Sequence, residues 1–258
     1  GQKILSMNAQ QIILSMVLAT MVFSVALELR IEDFKRVAQT PKAVICGLIP
    51  QFLLLPVGTW LATLWLDLPP NIEAAMILVA ACPGGSLSNV VTHMGRGNTA
   101  LSVSISAVAS IIALFATPFN FSWMIATNPE TASWLKELAI DSSGIYISLF
   151  LLLGVPLSLG LLASHRLPQL TERIRKPLGH FSLIALLLFI VAGLIKERQL
   201  LTLGLLPTLL LVVLHNASGL FFGWVTSKVM GVSEKDRRAV MIEGGMQNSG
   251  LALGIIAV

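Results

Sequence analysis

The chain has 258 residues, of which 55% are hydrophobic and only 12% charged, with a mean hydropathy of +0.83 and a formal net charge of +4. Soluble domains carry about a quarter charged residues, so this composition excludes an ordinary soluble domain and indicates a polytopic membrane protein. The basic balance is explained by loop charges that set membrane topology, not by nucleic-acid binding.

Continuous apolar runs divide the chain into eight segments, each long enough to cross a bilayer as a helix of about 20 residues. The runs do not alternate between apolar and polar residues, so they predict an all-α membrane protein and not a barrel. The chain lacks an initiator Met and stops inside an apolar run, and we therefore expect it to be a piece of a longer protein. The segments lie at about 9–29, 42–66, 72–94, 99–126, 144–164, 179–195, 200–227 and 238–258.

The basic residues predict the orientation of these segments. Thirteen of the seventeen Lys and Arg residues fall in the loops after segments one, three, five and seven, and four fall elsewhere. Positive residues concentrate on the cytoplasmic side, so these four loops are expected there and the start of the chain outside. Two amphipathic stretches, "RIEDFKRVAQ" and "ETASWLKELAI", are expected to lie at the membrane interface.

Segment three is interrupted by "PGGSLSN" at 83–89. Pro83 removes a backbone donor, and Gly84 and Gly85 lower the helix propensity, so a break in the helix is predicted. A simple proline kink is the alternative. It does not explain Ser88 and Asn89, because polar groups in lipid are costly unless they face protein or a cavity.

Segment eight is interrupted by "EGGMQNSG" at 243–250, where Gly244 and Gly245 predict a second break. Glu243 is the one acidic residue deep in an apolar run, and a mid-membrane charge costs about 2.5–3.5 kcal/mol on insertion scales. A bound cation is the partner we expect; a protonated, hydrogen-bonded Glu243 is the alternative. The two similar motifs cross the membrane in opposite directions, which indicates an inverted repeat with a binding site at the midplane.

Broken helices offer two kinds of ligand. Amide groups at the half-helix starts near Ser86 and near Gln247 and Asn248 suit an anion, whereas carbonyl, hydroxyl and carboxylate oxygens suit a hard cation such as Na⁺. Ser102 and Ser106 share one helix face. They would complete an oxygen cage with Ser88, Asn89 and Glu243, unless they only pack helices together as small residues do.

Three stretches carry a resemblance to the bile acid:sodium symporter family, in its bacterial form. They are "ACPGGSLSNVVTHMGRGNTALSVSISAV" (81–108), "LHNASG" (214–219) and "EGGMQNSGLALG" (243–254), with weaker similarity in "PKAVICGLIPQFLLLP" (41–56). The resemblance implies inverted five-helix repeats with two crossing discontinuous helices, of which this chain would supply helices two to nine. The implied repeats are 1–126 and 127–258; the implied panel domain is about 9–38 and 144–195, and the core domain about 42–126 and 200–258. A bacterial inner membrane is the implied location.

The resemblance also implies two sodium sites and no other cofactor. Ser86 and Asn248 match positions beside the substrate. The family often has Thr where Ser106 stands, and Ser106 keeps the hydroxyl ligand. The family often has a larger apolar residue where Gly244 stands, and Gly244 keeps the backbone carbonyl ligand. The first sodium site would use Ser88, Asn89, Ser102, Ser106 and Glu243; the second would use Gln51, Glu243, Gln247 and the carbonyls of Gly244 and Met246.

These observations predict sodium-coupled symport of organic anions, bile-acid-like or small carboxylate compounds, by alternating access. Proton-coupled or sodium-independent anion transport is the alternative within transporters, and a channel is a third possibility. An intramembrane enzyme would have to rely on His93 and His215. Neither has a nucleophile motif or metal-ligand spacing, so we expect no catalytic residues and interpret both as satisfied polar residues.

Overall fold

The computed structural model describes residues 9–85, 87–138, 142–196 and 198–248, which form twelve α-helices and one π-helical turn, Pro50–Leu54, between the third and fourth. In chain order the helices are α1 Ala9–Glu28, α2 Ile31–Gln39, α3 Pro41–Ile49, α4 Leu55–Leu66, α5 Pro70–Ala81, α6 Leu87–Met94, α7 Thr99–Thr127, α8 Pro129–Glu137, α9 Ser142–Arg166, α10 Pro168–Lys196, α11 Arg198–Val229 and α12 Glu234–Gly245.

Four helical stretches of the described chain are long and apolar enough to cross a membrane. Two shorter apolar helices, Ser15–Glu28 and Pro70–Ala81, accompany them. The protein is therefore a helical, multi-pass membrane protein, as the composition predicts. The four long stretches are Pro41–Leu66, Thr99–Thr127, Ser143–Arg166 and Pro207–Val229.

The predicted segments agree with the helices except at two places. The sixth predicted segment covers 179–195, but α10 begins at Pro168, because a proline fits the first helical position and the polar stretch after it continues the helix. The eighth segment is helical over Glu234–Gly245, and its end at 249–258 lies outside the described residues. The two amphipathic stretches form α2 and α8.

The chain divides into two compact units. One comprises Gly1–Leu29, Leu151–Leu209 and Gly250–Val258. In it α1 packs against α10, and Gly160 of α9 lies so close to α1 that a Cβ there would come within 2.9 Å of the Phe23 carbonyl oxygen. The other unit comprises Arg30–Phe150 and Leu210–Ser249. The panel, core and repeat boundaries given above stay predictions.

Helix α7 is the centre of the second unit, where α2, α3, α5, α6, α8 and α12 all pack against it. Leu101 and Ile105 of α7 are buried with Val44 and Cys46 of α3 and with Val240 of α12. The predicted site residues lie on the elements that surround this helix.

The π-helical turn has an identifiable cause. Pro56 lacks the amide hydrogen that would bond the Phe52 carbonyl one helical turn earlier, and Asn120 of α7 donates its Nδ2 to that carbonyl at 3.0 Å instead. The Leu55 amide donates to the Pro50 carbonyl across the wider turn. Such turns are frequent at functional sites, and this one carries Gln51 into the interior.

Candidate functional site

The first interruption separates α5 from α6. Helix α5 ends at Ala81, whose carbonyl would bond the Gly85 amide if the helix continued. The Thr117 hydroxyl of α7 donates to that carbonyl at 2.7 Å, so the broken helix end keeps a partner. Pro83, Gly84 and Gly85 then run in non-helical conformation until α6 begins at Leu87.

The second interruption lies directly across the first. Helix α12 ends at Gly245, and the next residues pair with the first interruption as a short antiparallel bridge between Gly84 and Gln247. The Asn248 amide donates to the Pro83 carbonyl at 2.9 Å, and the Gly85 amide donates to the Met246 carbonyl at 3.3 Å. Each break thus satisfies backbone groups that the other leaves free.

The Glu243 carboxylate is fully buried in the last turn of α12. Its Oε1 accepts hydrogen bonds from Ser88 Oγ at 2.7 Å, from Ser106 Oγ at 3.1 Å and from Ser102 Oγ. Within the described part of the chain no Lys or Arg nitrogen is paired with it. The structure therefore surrounds a potential charge with neutral oxygens from α6 and α7.

Asn89 and Thr92 complete this group. Asn89 Oδ1 accepts from Ser102 Oγ at 2.7 Å and from Ser106 Oγ at 3.3 Å, and the buried Thr92 hydroxyl lies 3.3 Å from Ser102 Oγ. Ser102 carries one hydroxyl proton but faces two oxygens that only accept, Asn89 Oδ1 and Glu243 Oε1, so acceptors outnumber the protons it can give them. We call the carboxylate of Glu243, the hydroxyls of Ser88, Ser102 and Ser106, and Oδ1 of Asn89 the oxygen cluster.

Thr92 lies beside the oxygen cluster, and the sequence analysis did not predict it there. It lies four residues after Ser88, on the same face of α6, and this spacing is the signal that would have found it.

The residues predicted for a second cation meet beside the oxygen cluster. A Cβ on Gly84 would come within 2.8 Å of both Gln51 Nε2 and Glu243 Oε2, so these two side-chain ends lie at the same place. Gln51 is fully buried, and neither its Nε2 nor its Oε1 has a hydrogen-bond partner among the described residues. Gln247 Nε2 donates to the Gly244 carbonyl at 3.0 Å, while its buried Oε1 has no partner there either. Buried polar atoms left without partners need an explanation such as an ion.

Helix α11 contributes contacts that the sequence did not predict. Asn216 Nδ2 donates to the Gly245 carbonyl at the end of α12. Gly219 and Gly223 let α11 approach α12 closely, since a Cβ on Gly223 would lie 2.7 Å from the Met241 Cα. Asn216 and Gly219 belong to a stretch that carries the family resemblance, but no role follows from it, because nothing in the sequence says that α11 lies against the second break.

The two histidines considered for an enzyme lie outside the oxygen cluster. His215 Nε2 is 3.0 Å from the Thr59 hydroxyl, so this ring has a structural partner, and His93 is exposed near the end of α6. Ser86, predicted at the substrate site, lies outside the described residues. Of the predicted substrate pair, the structure places only Asn248, at the crossing of the two breaks.

Glu243 is not the only buried acid of the described chain. Glu73, at the start of α5, is also fully buried. Its Oε2 accepts from Asn128 Nδ2 at 2.9 Å and its Oε1 from the Leu68 amide at 3.2 Å, so this carboxylate is held by amide donors. Glu243, in contrast, accepts its hydrogen bonds from the hydroxyls of the oxygen cluster.

Comparison with known proteins finds similarity to one family of transporters. The model of the Sodium Bile acid symporter family matches residues 15–204. A "Probable sodium/metabolite cotransporter BASS1, chloroplastic" of Oryza sativa subsp. japonica is 33% identical over 230 residues, which cover 88% of this chain and 53% of the rice protein. The "Uncharacterized sodium-dependent transporter YocS" of Bacillus subtilis (strain 168) is 30% identical over 238 residues, 92% of this chain and 71% of that protein.

A human relative is more distant. The "Ileal sodium/bile acid cotransporter" is 25% identical over 247 residues, which cover 95% of this chain and 68% of the human protein. The chain spans about half the length of the rice protein, 71% of the Bacillus subtilis protein and 68% of the human protein.

Proposed function

Because this chain belongs to the Sodium Bile acid symporter family, we propose that it is a sodium-coupled symporter of organic anions that works by alternating access. The observation that carries the proposal is the fully buried Glu243 carboxylate, which faces hydroxyl oxygens of Ser88 and Ser106 and no basic side chain of the described chain. Moving a charge into the membrane interior is costly, and a bound cation offsets that cost.

The first Na⁺ would lie in the oxygen cluster. One carboxylate with hydroxyl and amide oxygens is a ligand set for a hard cation, not for a soft transition metal. The excess of acceptors over protons around Ser102 supports the same conclusion, because a cation supplies the positive charge that the missing protons do not.

A second Na⁺ would lie on the other side of the Glu243 carboxylate. Gln51 Oε1 and Gln247 Oε1 are buried and without protein partners among the described residues, and the Gly244 and Met246 carbonyls lie in the same stretch of backbone. An ion there would satisfy oxygens that the fold alone leaves unsatisfied.

The substrate would be a small carboxylate or a bile-acid-like anion, held at the crossing of the breaks near Asn248 and Ser86. Two Na⁺, the Glu243 carboxylate and one monoanion sum to zero, and a neutral loaded site is the state that crosses a low-dielectric region at least cost. Each net charge moved across the membrane changes the free energy by about 2.3 kcal/mol per 100 mV.

We extend the proposal to the architecture. The two crossed breaks, at 83–85 and 246–248, would be corresponding parts of two inverted repeats and would move together during transport. A bacterial plasma membrane is the proposed location, which the similarity to the YocS protein of Bacillus subtilis supports.

A thermal-shift screen of the purified full-length protein tests the proposed function. Organic anions are added in NaCl and, separately, in choline chloride at the same ionic strength and pH. We expect a carboxylate substrate to raise Tm only when Na⁺ is present, because ligands that bind the folded state stabilise it. Equal stabilisation in choline would refute sodium coupling, and a response to pH in place of Na⁺ would favour proton coupling.

A further inference from the structure

A second set of polar contacts joins α7 to α12, separate from the oxygen cluster. Asn98 Nδ2 donates to Asp236 Oδ1 at 2.7 Å, and the Asn98 amide donates to the Lys235 carbonyl at 2.9 Å. Asn98 Oδ1 accepts from the Leu101 amide at 3.1 Å and so also caps the start of α7. One side chain therefore fixes the first turn of α7 and ties it to the first turn of α12.

Helical periodicity places these contacts and the oxygen cluster on one line. Asn98, Ser102 and Ser106 are spaced by four residues along α7, and Asp236 and Glu243 are seven residues apart, which is two turns of α12. The pair Asn98–Asp236 and the contacts from Ser102 and Ser106 to Glu243 thus lie on facing sides of the same two helices. Asp236 and Glu243 are about 10 Å apart along the axis of α12.

The backbones approach closely where this line begins. A Cβ on Gly97 would lie 3.2 Å from the Arg238 Cβ and 3.3 Å from the Ala239 amide nitrogen. Arg238 Nη1 also donates to the Gly95 carbonyl at 3.2 Å. The connection between α6 and α7 is therefore held against the first turns of α12, and α12 cannot slide along α7 without breaking these contacts.

We propose that Asn98 and Asp236 are a positioning pair, which sets the axial register of α12 against α7 and thereby the affinity of the oxygen cluster for Na⁺. The inference rests on the proposed sodium site and adds residues that do not touch the ion. A bond from an amide to a carboxylate is charge-assisted and directional, so it fixes register better than apolar packing does. A ligand group needs its supporting contacts to hold it within about 0.5 Å, and a slip of one residue would move Glu243 by about 1.5 Å.

The capping and positioning roles of Asn98 can be separated by substitution. Asn98→Ser keeps a good helix cap but withdraws the amide donor from Asp236. Asn98→Asp also keeps the cap but sets two carboxylates against each other. The exchange Asn98→Asp with Asp236→Asn restores one donor and one acceptor with their order reversed. Glu137→Gln is the control, because it neutralises one carboxylate at an exposed position, the last residue of α8, which takes no part in these contacts.

The test is an Na⁺ titration of Tm with NaCl against choline chloride on the full-length protein, without substrate. The Na⁺ midpoint is the Na⁺ concentration that gives half of the full rise in Tm. We expect it to increase about five- to tenfold in Asn98→Ser, a change at the low end of typical coupling between sites in one protein. In Asn98→Asp the increase should be larger. The exchange variant should return to within about twofold of the wild-type midpoint, and Glu137→Gln should have the wild-type midpoint.

Two results would overturn the positioning role: a wild-type midpoint in Asn98→Ser, or an exchange variant as weak as Asn98→Asp. If Asn98→Asp is not recovered folded, Asn98→Ser alone decides. A wild-type protein whose Tm does not respond to Na⁺ would refute the proposed sodium site, and this inference with it. A wild-type response with no effect of Asn98→Ser would refute the positioning role only.

Discussion

The main-chain amide of Asn248 donates a hydrogen bond to the carbonyl of Pro83 at 2.9 Å, so the two interruptions of the apolar segments are bonded to each other. Neither break is an isolated kink. Each leaves backbone groups without helical partners, and the other break supplies those partners inside a membrane protein, where water does not. The crossing places Glu243, at the end of α12, against α6 and α7.

The glycine at position 84 makes room for two proposed ligands. In Gly84→Ala the new Cβ would lie 2.8 Å from Gln51 Nε2 and from Glu243 Oε2. Both are ends of flexible side chains and can move aside, so we expect a folded protein with Tm in choline close to wild type. The Na⁺ midpoint of the thermal shift should rise about tenfold or more, because a loss of only about 1.4 kcal/mol of Na⁺-binding free energy weakens affinity tenfold.

The same substitution at an open position is the control. A Cβ added to Gly144 would have no atom within 4 Å, and Gly144→Ala should therefore leave the Na⁺ midpoint unchanged. Equal midpoints in the two variants would show that Gln51 and Glu243 do not hold Na⁺ beside Gly84.

The hydroxyl of Ser106 faces both Glu243 oxygens, at 3.1 and 3.2 Å. Removing it in Ser106→Ala takes one oxygen from the cluster. A hydrogen bond or ligand contact to a charged group contributes about 1.5–3 kcal/mol, so the Na⁺ midpoint should rise about tenfold or more.

One turn along α7, the Ser110 hydroxyl donates to the Ser106 carbonyl of its own helix at 2.8 Å. Ser110→Ala removes the same atom type without touching Glu243, and its Na⁺ titration should match wild type. If Ser110→Ala weakened Na⁺ binding as much as Ser106→Ala, the oxygen cluster would not be the site.

Thr117 supports the end of α5 and is not itself a proposed ligand. Thr117→Val keeps the shape of the side chain but leaves the buried Ala81 carbonyl without its 2.7 Å donor. We expect a loss of about 1 kcal/mol of stability, because hydrogen bonds between membrane helices contribute about that much, and a Tm lower by a few degrees.

Thr127→Val in the same helix provides the comparison. Thr127 is exposed and donates to the Trp123 carbonyl of its own helix at 2.8 Å, so its replacement should change Tm little. Equal Tm values for the two valine variants, measured in choline, would contradict the role given to Thr117.

Much of the candidate site could be predicted from local pattern. A carboxylate in an apolar run, paired glycines and a Ser-x-x-x-Ser spacing are local features. The structure places Ser88, Ser102 and Ser106 against Glu243, and Asn89 against Ser102 and Ser106. Gln51 entered the predicted site only through the resemblance to a known family. Its sequence context alone is equally compatible with an ordinary hydrogen-bonded core residue.

Other contacts depend on which segments become neighbours, and sequence spacing does not contain that information. Thr117 meets Ala81, and Asn216 meets Gly245, across sequence separations that no helical period describes. Glu73 escapes prediction for a different reason: it stands at the edge of its apolar segment, where an acid ordinarily reaches water, yet Asn128 and the Leu68 amide hold it inside.

The most direct test of the central claim is an Na⁺ titration of the purified full-length protein carrying Glu243→Gln, followed by Tm in NaCl against choline chloride. Gln keeps the size and the hydrogen-bonding capacity of the side chain but removes the charge, so the folded protein should survive. We predict that the rise of Tm with Na⁺ expected of the wild-type protein is lost in Glu243→Gln. An Na⁺ response of wild-type size and midpoint in Glu243→Gln would contradict the account.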